Sequence, residues 1–175
     1  MTAPEIPDLP RIADTLARHH VEYLFVGGIA ARAYGARRVT YDVDCVPQRS
    51  RDNLERLADA LRELNARLRV GGLSDEEAAR LPVKLAGSTL ARMEISTWRT
   101  DAGDLDILAD IPDRDGRHLT YSRLAARAAE LNLDGIAVRV AALDDVIASK
   151  EWADRPKDRD ALDELLALRQ RDQHD

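Results

Sequence analysis

The chain has 175 residues, of which 45% are hydrophobic and 33% charged, and its net charge is −6 at neutral pH. This apolar content is enough to bury a core, which excludes wholesale disorder. The negative charge excludes a strongly basic protein that coats DNA, although it leaves room for a local basic patch.

Targeting and redox signals are absent from the sequence. The only cysteine is Cys45, so no internal disulfide can form. The first residues do not combine a basic start with an apolar run, and no apolar stretch approaches the roughly 18 residues of a membrane span. We therefore expect a protein of the cytoplasm that does not associate with a membrane.

The first half of the chain alternates helices with short strands. Apolar residues at helical spacing predict a helix from Leu9 to about His20. The next predicted elements are a strand over 21–26, a helix over 29–34 and a strand over 39–46. Ser50 can cap a long helix whose leucines continue to Leu68, and a capping-box pattern begins a short helix at Ser74.

The second half begins with a predicted hairpin and ends with helices. The predicted elements are strands over 92–98 and 104–109, a helix over about 120–131, a strand over 136–140, and helices over 143–152 and 158–169. This mixture predicts an α/β or α+β fold with a mixed sheet flanked by helices. We expect one domain over 1–175, with a core over about 9–112 and a helical C-terminal part over about 118–169.

Two aspartates, Asp42 and Asp44, alternate along the predicted second strand. Residues i and i+2 of a strand point to the same face, so the two carboxylates should lie side by side. Neighbouring carboxylates repel each other unless a cation lies between them, and hard oxygen ligands suit Mg²⁺. The alternative is that both simply lie on a solvated face of the sheet.

Two glycines, Gly27 and Gly28, follow the first strand and begin a short helix. Glycine lets a backbone approach a phosphate closely, and a helix N-terminus presents free N–H groups to it. The alternative is an ordinary turn between strand and helix.

A second pair of aspartates, Asp104 and Asp106, also shares one face of a predicted strand. One of them can supply a third carboxylate, because two-metal sites hold cations about 3.5–4 Å apart and stabilise both the attacking and the leaving oxygen. We favour Asp106, which lies deeper in the apolar run, whereas Asp104 lies beside the turn.

These motifs occur in a definite order: a strand, Gly27-Gly28, a helix, Asp42 and Asp44 on a strand, and Asp106 on a later strand. The order resembles the DNA polymerase β-like nucleotidyltransferase superfamily. The resemblance implies that Asp42, Asp44 and Asp106 are catalytic and hold two Mg²⁺ or Mn²⁺ ions.

The stretch from Asp145 to Leu162 resembles the closing helices of the AbiEii and MenT toxins of bacterial toxin–antitoxin systems. The resemblance implies that Lys150 is catalytic and binds the NTP phosphates, with Arg155 and Asp158 also at the nucleotide. Asp158 would cap the last helix and orient Lys150 or Arg155. The alternative is a solvated helix pair with ordinary surface charges.

One residue departs from the family pattern. Tyr41 occupies the position before Asp42 where many relatives carry Arg or Lys, which puts a phosphate contact from that position in doubt, although Arg37 or Arg38 can replace it. Thr40 fits the small hydroxyl residue often found near the motif, and we include it among the nucleotide-binding residues.

The resemblance implies transfer of an NMP from an NTP to an acceptor, favoured as the tRNA 3′ end, by a toxin that has a cognate antitoxin protein. The alternatives are transfer to a protein side chain and an inactive domain that serves as a binding or antitoxin module. Some arginines are candidates for an acceptor surface because Arg suits phosphate recognition, although they also fit solvated faces. These are the arginines at positions 62, 67, 69, 123, 127 and 139.

Overall fold

The computed structural model describes residues 5–172, without the side chains of Lys157, Asp160 and Asp172. The strands are β1 (Tyr23–Val26), β2 (Asp42–Pro47), β3 (Arg67–Arg69), β4 (Ile95–Thr100), β5 (Gly103–Leu108), β6 (Asp110–Pro112), β7 (His118–Thr120), β8 (Ala129–Leu133) and β9 (Ile136–Val140). The helices are α1 (Leu9–Arg18), α2 (Gly27–Ala33), α3 (Arg51–Glu63), α4 (Asp75–Ala79), α5 (Gly87–Leu90), α6 (Tyr121–Ala125), α7 (Leu143–Ala153) and α8 (Pro156–Asp172).

Seven strands form one mixed sheet in the order β3-β4-β5-β2-β1-β9-β8, and β6 pairs with β7 in a separate hairpin. β2 runs parallel to β5, and β1 runs parallel to β9, whereas the other neighbouring strands of the sheet are antiparallel. Helices flank this sheet, so the predicted fold class, with a mixed sheet flanked by helices, is confirmed.

Two faces of the central strands differ in polarity. Val43, Cys45, Leu105 and Ile107 point to one face and are buried in the core. Their neighbours along the same strands point to the opposite face and include the four aspartates of β2 and β5. The alternation therefore presents the carboxylates on one face while the other face packs against the core.

The long helix predicted to reach Leu68 ends earlier. α3 ends at Glu63, and Asn65 then adopts a left-handed φ of 53°, a conformation that Asn tolerates better than most residues. Leu68 instead lies in β3, which pairs with β4. The helical spacing of the leucines continued by chance into a strand.

The helix predicted over 120–131 is wrong beyond Ala125. Residues from Ala129 onward form β8, which pairs with β9 through a turn at Asp134 and Gly135. Both turn residues have positive φ, as expected for the Asp-Gly sequence of a two-residue hairpin turn. The segment after 118 therefore adds two strands to the sheet as well as helices.

Other boundaries shift by a few residues. β2 begins at Asp42 rather than Val39, and α8 begins at Pro156, which suits the first turn of a helix. Within residues 5–172, no helix is both long enough and apolar enough to cross a membrane.

Candidate active site

Three aspartates meet at the junction of β2 and β5. These strands are parallel neighbours, and Asp44 lies directly opposite Asp106 in their register. One carboxylate oxygen from each of Asp42, Asp44 and Asp106 lies within 4.8 Å of the others. The parallel pairing therefore brings together residues that are 62 positions apart in the sequence.

Asp106 gives the clearest indication that the carboxylates require a cation or a further hydrogen-bond donor. Its Oδ1 atom is buried and has no hydrogen-bond partner. Burial raises the pKa of Asp106, and the charges of Asp42 and Asp104 add to the rise, whereas a hydrogen bond with Thr97 opposes it. A cation would offset both the burial and the repulsion, and carboxylate oxygens are the ligands that Mg²⁺ prefers. The three residues thus fit a divalent metal.

Asp104 points to different partners. Its carboxylate contacts Arg69 Nη1 at 2.5 Å and Arg99 Nε at 3.5 Å. Because these guanidinium groups already neutralise it, Asp104 has no comparable need for a cation. The geometry groups Asp106, and not Asp104, with the two aspartates of β2.

The two glycines make room for the site. A Cβ atom on Gly27 would overlap Asp44 Oδ2, and a Cβ on Gly28 would lie 2.5 Å from Thr40 Oγ1. Gly27 also has a φ of 58°, which strains any other residue. Because these glycines have no side chains, Asp44 and Thr40 can approach the start of α2. The backbone of both glycines is also exposed to the cleft described below.

Thr40 holds the first aspartate in place. Its hydroxyl contacts the main-chain oxygen of Asp42 at 3.0 Å and the Asp42 carboxylate at 3.2 Å. A hydroxyl has one hydrogen to donate, so the two contacts compete for it. Either bond fixes the first residue of β2 beside the other carboxylates.

Two cationic side chains, Lys150 of α7 and Arg155 between α7 and α8, line the same cleft as the carboxylates. Asp158 is buried and accepts hydrogen bonds from Lys150 Nζ at 3.4 Å and Arg155 Nε at 2.5 Å. Burial acts to raise the pKa of Asp158, but the bond from Arg155 and the charge of Lys150 outweigh it, so the pKa is lowered overall. Asp158 is therefore ionised and anchors both cations.

The electrostatic link reaches across to the aspartates. The hydrogen bond to Asp158 raises the pKa of Arg155, burial opposes the rise, and the charges of Asp158, Asp44 and Asp42 add to it. The charges of Asp44 and Asp42 therefore favour the protonated form of Arg155 across the cleft. The left-handed Asp154, with φ of 43°, ends α7 so that Lys150 and Arg155 can converge on one Asp.

The three clustered aspartates and the Asp158 group line one cleft of about 320 Å³. Its lining contains each residue for which the sequence predicts a role at the site, namely Gly27, Gly28, Thr40, Asp42, Asp44, Asp106, Lys150, Arg155 and Asp158. Arg38 also lines the cleft, whereas the backbone N–H of Arg37 donates to Glu164. Arg38 is thus the better placed of the two arginines considered for the position before Asp42.

Sequence reasoning missed the apolar walls of the cleft. Ala31, Ala36, Val39 and Ala161 line it, and small apolar residues carry no chemical signal. Ala161 follows Asp158 by three residues, so helical periodicity could have placed both on one face of α8. Tyr41, noted only as a departure from the family pattern, lines the cleft and is half exposed.

Solved structures of several nucleotidyltransferases share this fold. The lincosamide antibiotic adenylyltransferase LnuA, bound to lincomycin, has a TM-score of 0.61 and 13% identity, covering 92% of this chain and 96% of that chain. The antibiotic-resistance factor ANT(2″)-Ia in solution has a TM-score of 0.56 and 13% identity, covering 95% and 89% of the two chains. Its crystal structure with adenylyl-2″-tobramycin has a TM-score of 0.55 and 14% identity, covering 95% and 97%.

The chain therefore has the fold that these nucleotidyltransferases share, with an acidic cleft formed by Asp42, Asp44 and Asp106. A family model described as "Nucleotidyl transferase AbiEii toxin, Type IV TA system" matches residues 12–175. The chain therefore belongs to the AbiEii nucleotidyltransferase family. A comparison with curated proteins gives no match.

We predict that Gly27→Ala lowers activity far more than Gly135→Ala. Both glycines have positive φ, but only a Cβ at Gly27 meets another residue. Each substitution should lower the free energy of unfolding by about 1–2 kcal/mol from backbone strain. Displacement of Asp44 should further reduce NMP transfer by about a hundredfold in Gly27→Ala alone. Urea unfolding and a transfer assay measure the two effects, and equal activity in the two variants would contradict the role of Gly27.

Proposed function

We propose that the protein transfers the NMP group of an NTP to the 3′ end of tRNA and acts as the toxin of a toxin–antitoxin system. The observation that carries the proposal is the cleft in which three clustered carboxylates face a lysine and an arginine anchored by Asp158. Such a combination suits a polyanionic substrate that is accompanied by divalent metal.

Asp42, Asp44 and Asp106 would hold the metal, as two Mg²⁺ ions or Mn²⁺ in their place. Bound metal of this kind neutralises phosphate charge and lowers the pKa of an attacking hydroxyl. The unpartnered buried oxygen of Asp106 and the crowding of three carboxylates support this assignment. Thr40 keeps Asp42 oriented toward the group.

Lys150 and Arg155 bind the triphosphate in this proposal. The Lys150 side chain is only 15% exposed and Arg155 is more open, so one cation lies at the base of the cleft and the other at its rim. Ammonium and guanidinium groups form charge-assisted hydrogen bonds with phosphate oxygens. Asp158 holds both cations, and the backbone of Gly27 and Gly28 lies along the same cleft.

The reaction is an in-line displacement. The acceptor hydroxyl oxygen forms a bond to the α-phosphorus, the bond from that phosphorus to the bridging oxygen breaks, and pyrophosphate leaves. Asp106 lies on β5, next to β4, and would hold the metal that lowers the pKa of the attacking hydroxyl, whose proton passes to water. Most of the acceleration comes from positioning and charge complementarity.

Family membership supports the toxin role. The resemblance of the closing helices to the MenT toxins favours tRNA over a protein side chain as the acceptor. A cognate antitoxin protein would restrain the enzyme. The proposal places the protein in the cytoplasm, where tRNA and NTPs are found. Transfer to protein, or no transfer at all, are the outcomes that would replace it.

We predict that Asp44→Asn abolishes transfer. The variant keeps the size of the side chain but removes a charge from the acidic cluster, which should reduce the rate at least about a hundredfold. The assay combines each labelled NTP with Mg²⁺ and total tRNA, and EDTA should have the same effect as the substitution. Asp134→Asn, a change at a side chain 71% exposed, is the control and should retain activity.

Two further outcomes decide between acceptors. Label on protein from a lysate, with none on RNA, would overturn the tRNA acceptor and leave nucleotidyl transfer intact. No label on either acceptor with any NTP would indicate an inactive binding module.

We also predict that Lys150→Ala weakens use of the NTP. Loss of a charged hydrogen bond to the triphosphate should lower kcat/KM for the NTP by about tenfold to a hundredfold. Asp158→Asn should give a smaller loss, because it releases Lys150 and Arg155 without removing them. Steady-state kinetics with varied NTP provide the measurement, with Asp144→Asn on the exposed side of α7 as the control. An unchanged kcat/KM in Lys150→Ala would exclude the phosphate contact.

A further inference from the structure

A polar track crosses four neighbouring strands and ends at the catalytic carboxylates. In the register of the sheet, Arg69 lies opposite Thr97, and Thr97 lies opposite Asp106. Two positions along the strands, and so on the same face, Arg67 lies opposite Arg99, and Arg99 lies opposite Asp104. Directly paired residues share a face, so the arginines of β3 and β4 lie on the same face as the aspartates of β5 and β2.

A cavity separate from the NTP cleft is lined by two of these arginines, Arg69 and Arg99, whereas Arg67 lies two residues before Arg69 on β3. It has a volume of about 570 Å³ and is lined by Arg69, Val70, Gly71, Gly72, Leu73, Ser74, Asp75, Thr97 and Arg99. Thr97 forms a hydrogen bond with Asp106. Because Thr97 also lines this cavity, the cavity reaches the neighbour of the third carboxylate. The strand spacing puts Asp106 roughly 10 Å from Arg69, two strands away.

Gly71 has no explanation within the fold. Its φ is not in the positive range, and a Cβ there would meet nothing within 4 Å. Neither backbone conformation nor internal packing therefore requires glycine at this position. Glycine is also used where a backbone must approach a ligand closely, and Gly71 lines the cavity over the arginines.

We propose that this cavity is the acceptor groove and that Arg67, Arg69 and Arg99 bind the sugar-phosphate backbone of a single-stranded RNA 3′ end. The inference rests on the proposed nucleotidyl transfer to tRNA and names the surface that holds the acceptor. The RNA enters across β3, passes Gly71, and presents its terminal hydroxyl at Asp106. The triphosphate occupies the separate cleft on the other side of the carboxylates.

The charges favour RNA over a protein acceptor. Arg67, Arg69 and Arg99 side chains are 65%, 43% and 42% exposed, and each pairs with an aspartate at the surface. Exposed ion pairs of this kind contribute at most about 1 kcal/mol, so phosphate groups can replace the carboxylates easily. Guanidinium groups bind phosphate in a planar, two-pronged geometry, whereas the hydroxyl group of a protein side chain requires no row of arginines.

The experiment compares the wild type with the triple variant Arg67→Gln/Arg69→Gln/Arg99→Gln. The matched control is Arg18→Gln/Arg114→Gln/Arg117→Gln, which removes the same charge from three other exposed, ion-paired arginines. The first variant should raise the KM for tRNA about tenfold or more, with the KM for NTP unchanged. The dependence of RNA binding on log salt should fall by about 0.7 for each arginine removed.

Two single variants test the groove without removing an arginine. Asp104→Asn takes away a competing carboxylate, so binding of an RNA oligonucleotide without NTP should become tighter. Gly71→Val should leave the melting temperature unchanged but weaken the same binding, because its side chain occupies the path of the RNA. A purely structural role for the arginine–aspartate pairs predicts a lower melting temperature and no such opposite effects on binding.

The outcomes separate this inference from the proposed function. If the wild type labels tRNA and the triple variant keeps its KM and salt dependence, the groove is wrong and nucleotidyl transfer to tRNA stands. If the wild type labels no RNA under any condition, the proposed acceptor itself fails. If the triple variant and its control lose RNA binding equally, net charge rather than this groove accounts for binding, which also overturns the inference.

Discussion

Mutual repulsion among Asp42, Asp44 and Asp106 is the constraint on which the site depends. Three carboxylates with oxygens within 4.8 Å of one another, one of them partly deprived of hydrogen bonds, are unfavourable without a cation. The parallel pairing of β2 with β5 enforces the arrangement, because both strands are held on their other face by buried apolar residues. The fold thus maintains a concentration of negative charge that the bound substrate complex would relieve.

Neighbouring elements adapt to that concentration. The lack of a side chain at Gly27 leaves space for Asp44, and the Thr40 hydroxyl contacts the Asp42 carboxylate. On the opposite wall, Asp158 gathers Lys150 and Arg155 and keeps both cations within one cleft. A triphosphate is attracted by the lysine and the arginine but repelled by the aspartates. It would therefore bind between the two walls only together with metal. The same reasoning separates the NTP cleft from the groove beside Asp104, where arginines neutralise the carboxylate directly.

Much of this arrangement could be predicted from sequence because the residues of the site occur in short motifs. The residues predicted from these motifs line the cleft, namely Gly27, Gly28, Asp42, Asp44, Asp106, Lys150, Arg155 and Asp158. Errors arose where local patterns were ambiguous: Leu68 continued a helical spacing into a strand, and the Asp134-Gly135 turn was overlooked within an apparent helix. Arg67 and Arg69 were among six arginines considered for an acceptor surface, but their alignment with Arg99 could not be found from sequence, because it depends on the pairing of β3, β4 and β5.

The most direct test of the central claim is binding of Mn²⁺, followed by electron paramagnetic resonance, to the wild type, Asp106→Asn and Asp104→Asn. If the three clustered carboxylates form one cation site, Asp106→Asn should weaken binding about tenfold or more, while Asp104→Asn leaves it close to the wild type. Equal affinity in the wild type and Asp106→Asn, or an equal loss in both variants, would contradict the assignment of the metal to Asp42, Asp44 and Asp106.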